Sequence, residues 1–253
     1  MKQHNLTWIK TTMVILALIA IPLAACQQAP TPTEAPPTEA PTEAPAEEPE
    51  EAAPAEENEW TRIQAEGKIV VGTSADYPPF EFINEENEFD GFDIVLMEEI
   101  ANRLGVEIEW QDIAFDGLIA ALQAGKIDSI IAAMAATPER DEQVDFTINY
   151  YEGSDAILVQ EGSDLTFSTP EEIAGYKIGV QSGTIHEQWV QENLIDAGDM
   201  DEADLVRYER ADQAALDLKN GRLEVVVMDF YAAKSFVEQG GVSLALEENL
   251  MGE

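Results

Sequence analysis

The most constraining stretch of this chain is Gly117 to Tyr151, GLIAALQAGKIDSIIAAMAATPERDEQVDFTINYY, which sets a helix, a buried strand and one isolated arginine in a single run. Ala120, Ala121 and Ala124 fall in a short amphipathic helix closed by Gly125, and Ser129 to Ala133 carries the small and β-branched residues of a buried strand. Beyond the strand, Thr137 is placed to cap a new helix with Pro138 at its first position, so the free amides of that helix point into the space at the strand end. An anion suits such a spot. Arg140 sits in the first turn of the same helix, where the dipole favours acidic side chains, so its charge asks for a partner. The pattern predicts a clamp for a small ligand.

The surrounding sequence repeats this alternation of strand and helix. Lys68 to Gly72 is a short β-rich run, Phe80 to Ile83 and Phe89 flank a polar turn, and Asp93 to Leu104 places Val95, Leu96, Ile100 and Leu104 on one helical face before Gly105 ends the helix. Val106 to Trp110 is the next strand. The alternation restarts with strands at Lys177 to Val180, Leu205 to Tyr208 and Val225 to Met228, separated by helical stretches near Ile185 to Leu194, Gln213 to Asn220 and Phe230 to Gln239. Such an order gives an α/β protein with mainly parallel sheets, and the restart favours two lobes with crevices at the carboxyl ends of the strands.

The N-terminal quarter reads differently. Lys2 and Lys10 followed by the apolar core Met13 to Ile21 form an export signal over residues 1–26, too short in its apolar part to span a bilayer comfortably. Leu23-Ala24-Ala25-Cys26 has the form of a lipobox, so Cys26, the only cysteine in the chain, is the expected site of lipidation. One acyl chain anchors only marginally, so stable attachment implies several. Residues 27–59 are rich in Pro, Thr, Ala and Glu and cannot bury enough apolar surface to fold, which makes them a tether. The net charge is −38. Of this, −30 belongs to the part from Trp60 onward, which argues against nucleic acid and against adhesion to an anionic membrane surface.

Six segments carry a resemblance: VGTSADYPPFEF (Val71 to Phe82), GFDIVLMEEIANRLG (Gly91 to Gly105), FDGLIAALQAGKIDSIIAAMAATPER (Phe115 to Arg140), VDFTINYY (Val144 to Tyr151), GYKIGVQSGT (Gly175 to Thr184) and LKNGRLEVVVMD (Leu218 to Asp229). In this order they resemble the bacterial extracellular solute-binding proteins of family 3, the polar amino-acid receptors of ABC importers. The resemblance implies an α/β fold, periplasmic-binding-protein-like type II, with two α/β lobes joined by a hinge near Tyr150 to Gln160. It places the solute-binding domain at 60–253, lobe 1 at about 60–152 and lobe 2 at about 153–245. A return to lobe 1 would follow, and its absence before Glu253 suggests a truncated or partial sequence.

By the same resemblance Arg140 takes a ligand α-carboxylate and Asp229 holds the α-ammonium. The alternatives on the residues themselves are a surface arginine paired with Glu139 or Asp141 and an aspartate capping the helix after it. Tyr77 and Phe115 match the aromatic pair around the ligand side chain. Gly183 and Thr184 match the second lobe's amides and hydroxyl for the carboxylate, and Ala133 offers a carbonyl to the ammonium. There are departures: Ala135 and Ile185 stand where hydroxyls are frequent, and Ser74 replaces an acidic residue that binders of basic amino acids often carry. Gln181 is polar and free to face the side chain.

The implied protein is a lipid-anchored extracytoplasmic receptor, periplasmic or cell-surface, that works as a monomer and delivers a polar amino acid to an ABC transporter permease, with no cofactor and no metal. The alternatives are an enzyme of the same fold, of the cyclohexadienyl dehydratase type, and a ligand-sensing module. The sequence has no Ser-His-Asp set, zinc-ligand cluster, phosphate-cradling loop or nucleotide fingerprint. His186, the one histidine outside the signal, is expected in a solvated helical position.

Overall fold

A computed structural model of the chain describes residues 58–248. The expected export signal with Cys26, the expected tether as far as residue 57, and residues 249–253 lie outside the described residues.

The chain enters through α1 (Glu59–Glu66), capped by the Asn58 side chain, and continues into β1 (Lys68–Thr73), β2 (Asp76–Tyr77), β3 (Glu81–Ile83), β4 (Phe89–Asp90), α2 (Phe92–Leu104) and β5 (Glu107–Asp112). A 3-10 turn over Phe115–Gly117 then leads to α3 (Leu118–Gln123), β6 (Ser129–Ile130) and α4 (Pro138–Asp141). β1 lies between β5 and β6, parallel to both, and β2, β3 and β4 form a small antiparallel sheet beside it. Strand alternation splits the apolar residues between two faces. Ile69 and Val71 pack with Ile63, Met97 and Ala101, while Leu118, Ala121 and Ile127 pack on the other side. Gly72 is where α3 and Ile127 come closest to β1: a Cβ there would stand 2.4 Å from Ile127 Cδ1.

The second half is a five-stranded sheet. Its elements run β7 (Asp155–Gln160), β8 (Ile178–Gln181), α5 (Ile185–Val190), β9 (Leu205–Tyr208), α6 (Ala211–Lys219), β10 (Val225–Asp229), α7 (Phe230–Gln239) and β11 (Val242–Glu248), in the spatial order β11-β7-β10-β8-β9. β8, β9 and β10 are parallel, whereas β7 runs antiparallel to β10 and β11. Both faces are covered, so the central strands are apolar throughout. Leu158, Val226 and Met228 meet α6 and α7, and Ile157, Val225, Val227, Ile178 and Val180 meet Trp189, Val190 and Leu194.

Three expectations need correction. In α2 the buried residues are Asp93, Ile94, Met97 and Ala101, while Val95, Ile100 and Leu104 are exposed, because a buried aspartate turns the helix away from its most apolar stripe. The strand expected to reach Ala133 stops at Ile130, since Ala133 has a left-handed backbone, φ +44°, that no ladder accommodates. The helix after Thr184 is regular only to Val190 and then widens into a π-type turn over Gln191–Ile195. β11 has no counterpart in the sequence reading. Among the described residues no helix is long and apolar enough to cross a membrane.

Candidate ligand-binding site

Most of the side chains expected at the site follow the carboxyl ends of parallel strands. Tyr77 comes after β1, Phe115 after β5, Arg140 after β6, Thr184 after β8, and Asp229 closes β10. They gather around one cavity of about 740 Å³, lined by Tyr77, Phe115, Ala133, Ala135, Arg140, Thr184 and Asp229 together with Glu81, Gln181 and His186. Gly183 does not line it.

Arg140 is held as the local sequence dictates. Thr137 caps α4 by accepting from the Arg140 amide, and Pro138 opens the helix. The guanidinium is buried, only 9% exposed, and turns back over the helix start: Nη1 donates to the Ala135 carbonyl at 2.6 Å and Nη2 to the Gly183 carbonyl at 2.8 Å. Its Cζ stands 5.5 Å from the centre of the Phe115 ring, a cation–π contact. Among the described residues no carboxylate forms an ion pair with it, so pairing with Glu139 or Asp141 is not what fixes it. Burial lowers its pKa, and the charge of Glu139 works the other way. The Arg140 to Gly183 bond ties the first half of the chain to the second.

Asp229 performs the capping duty that was its alternative. Oδ1 accepts from the amides of Tyr231 and Ala232 at 2.8 and 3.3 Å, and Oδ2 accepts from the Tyr151 hydroxyl at 3.0 Å. Its carboxyl pKa is raised by burial, against the hydrogen bonds that favour the ionised form. The Tyr77 hydroxyl accepts from the Asp229 amide at 2.9 Å, which ties the start of the first half to the end of β10, and its ring stacks on Phe80. Thr184 caps α5 through its oxygen and donates to the Gln181 carbonyl at 2.7 Å. The Gly183 amide donates to Glu187 at 2.7 Å and its carbonyl accepts from Arg140. Ala135 contributes a carbonyl to Arg140 rather than a group to solvent, and the Ala133 amide donates to Asp93 at 2.7 Å.

His186 departs from its expected solvated position. It is buried at the cavity wall, with Nε2 2.8 Å from Asp155 Oδ1. That pairing spans strand and helix and leaves no local sequence signal. Glu81 was also missed. It sits in the short Phe80-Glu81-Phe82 run, where alternation sends it to the face opposite Phe82, and nothing local says that this face is the buried one. Asp76 lies nearby in sequence: Ser74 Oγ and the Ala211 amide donate to it at 2.9 and 2.5 Å, and burial pushes its pKa up to about 6.

Two α/β halves around such a cleft define a type II periplasmic-binding fold. Residues 69–229 match the bacterial extracellular solute-binding proteins, family 3, and the chain belongs to that family. A probable histidine-binding protein of Campylobacter jejuni is 41% identical over 171 residues, which is 68% of this chain and 63% of that protein. The ABC transporter arginine-binding protein 1 of Escherichia coli K12 is 38% identical over 162 residues, 64% of this chain and 63% of its own length. The chain thus spans about 63% of the length of these curated relatives. Among solved structures, an ancestral arginine-binding protein bound to arginine superimposes with a TM-score of 0.67 at 41% identity, covering 72% of this chain and 80% of its own.

Proposed function

We propose that this chain is an extracytoplasmic receptor that holds an amino acid between lobes at about 60–152 and 153–245 and delivers it to an ABC importer, tethered through residues 27–59 to a lipid on Cys26. The observation that carries this reading is Arg140: a buried guanidinium at the wall of a cavity, satisfied only by backbone carbonyls and a ring. A ligand carboxylate offers its remaining N–H donors two parallel hydrogen bonds to an opposite charge, which the two neutral carbonyls do not supply. Asp229 has the opposite charge at another point of the same wall, and its capping bonds leave lone pairs for an α-ammonium. The names of the relatives, which specify amino-acid binding, support the same class of solute.

The test is calorimetric titration of α-amino acids, their amides and their N-acetyl forms against the wild type, Arg140→Ala and Asp229→Ala. Each substitution should cost about 2 to 5 kcal/mol of binding, since the ligand charge left behind is buried without its mate. Equal affinity for free and blocked amino acids, or unchanged affinity in both variants, would sink the zwitterion clamp. The His186–Asp155 pair gives the enzyme alternative its one specific observation, an imidazole oriented by a carboxylate at the cavity wall. Bound amino acid recovered chemically unchanged after prolonged incubation is the outcome expected of a receptor.

A further inference from the structure

The two halves of the molecule also meet through residues that, Gln181 apart, do not line the cavity. Helix α6 of the second half starts at Ala211, and the residue before it, Arg210, gives it no side-chain cap. Asp76, on β2 of the first half, supplies one: Oδ2 accepts from the Ala211 amide at 2.5 Å and from Gln181 Nε2 of β8 at 3.3 Å. Arg210 returns the contact, with Nη2 donating to the Ala75 carbonyl at 2.9 Å and Nη1 standing 3.4 Å from Asp112. The first amide of a helix has no partner within that helix, so Ala211 loses its cap as soon as the halves part. Asp76 is only 2% exposed, faced by Ser74, by Gln181 from β8 and by Arg210 and Asp212 from the turn into α6. Asp112, on the Ala75 amide, and Glu81, on β3, are the next ionisable groups. Burial favours the protonated carboxyl and prevails over Ser74, Arg210 and the Ala211 amide, which favour the ionised one.

Resting on the reading of two lobes that move about a hinge, we propose that Asp76, Arg210 and the start of α6 form a proton-controlled latch, in which closing the halves takes up a proton on Asp76 and parting them gives it back to solvent. The proton has a place to sit. Ser74 Oγ lies 2.9 Å from Oδ1 and can accept from it as well as donate, while Oδ2 keeps the Ala211 amide. Parting the halves returns Asp76 to water and to an ordinary value of 3.8, against about 6 when latched. The added preference for closure is therefore complete below about pH 4 and lost as pH rises through about 6. The competing account is that these contacts only fix α6 in a molecule whose halves do not move.

Energy transfer between fluorophores on Glu107→Cys in the first half and Glu171→Cys in the second, both exposed positions, in the full chain carrying Cys26→Ser, reads the separation of the halves. Without added solute, the ratio of near to far populations should fall roughly tenfold from pH 5 to pH 7.5, because a carboxyl of pKa about 6 is mostly protonated at the first and ionised at the second. Asp76→Asn keeps a neutral acceptor for the Ala211 amide and should stay near at both pH values; Asp76→Ala removes the acceptor and should favour the far population at both. A wild-type ratio that does not move with pH overturns the proposal whether or not the variants fold. A pH response that survives in Asp76→Asn also overturns it and assigns the change to the general repulsion of an acidic chain. Distances that answer to a mixture of the protein amino acids but not to pH dispose of the latch and leave the receptor reading in place. Distances that answer to neither remove the moving lobes as well.

Discussion

At the scale of single residues, the site concentrates carboxyl groups that the chain pays for in solvation. Asp76 is the clearest. Its folded pKa of about 6 lies above the free-chain value of 3.8, so between about pH 4 and 6 the folded protein keeps a proton that the unfolded chain has lost. The contribution is fully present below about pH 4 and disappears as pH rises through about 6, a loss on the order of 3 kcal/mol at 1.36 kcal/mol per unit. Urea unfolding at several pH values should show that Asp76→Asn lacks this part of the decline. An unchanged pH slope in the variant would remove Asp76 as its source. Residue chemistry was legible where it is local: Thr137 before Pro138, and Asp229 at the end of an apolar strand, both cap helices as their neighbours in sequence suggest. His186 was not, because its partner Asp155 is 31 positions away on another element. Glu81 was not, because its burial depends on which way a three-residue strand faces.

Elements were legible in kind and order more than in orientation. The strand at Leu205 to Tyr208 and the helix at Phe230 to Gln239 have the expected bounds, since each is delimited by its own composition. The buried face of α2 was misread because Asp93 is anchored from outside the helix, by Ala133 and Tyr150. Its N-terminal glycine makes that anchoring possible. Gly91 has φ +124°, and a Cβ there would lie 2.2 Å from the Phe80 carbonyl oxygen, whose lone pair accepts the Asp93 amide. Gly91→Ala should therefore destabilise the fold by about 3 kcal/mol or more, through backbone strain and a clash with a carbonyl that cannot swing aside. Gly67 is the control: φ is +68° and nothing lies within 4 Å, so Gly67→Ala should cost only about 1 kcal/mol. Denaturant midpoints of the two variants compare them directly, and equal losses would show that the contact with Phe80 does not matter.

For the whole molecule the dominant quantity is charge. A chain of net −38 repels itself, and salt relieves that repulsion by shortening the screening length from about 30 Å at 0.01 M to about 3 Å at 1 M. Thermal midpoints should rise with sodium chloride over that range. A steady fall would mean that specific ion pairs, such as Lys68 with Glu109, outweigh the general repulsion. The same scale gives the bond from Arg140 to Gly183 a further meaning. Backbone carbonyls already take two of the five guanidinium N–H donors, so the arginine is fixed in place at the cavity wall before any ligand arrives. Under the reading proposed above, an entering carboxylate adds to this anchorage and need not displace it, and its binding carries no cost of first ordering the arginine. On that reading, preference for a planar carboxylate over a monatomic anion would be set by how the backbone aims the donors that remain.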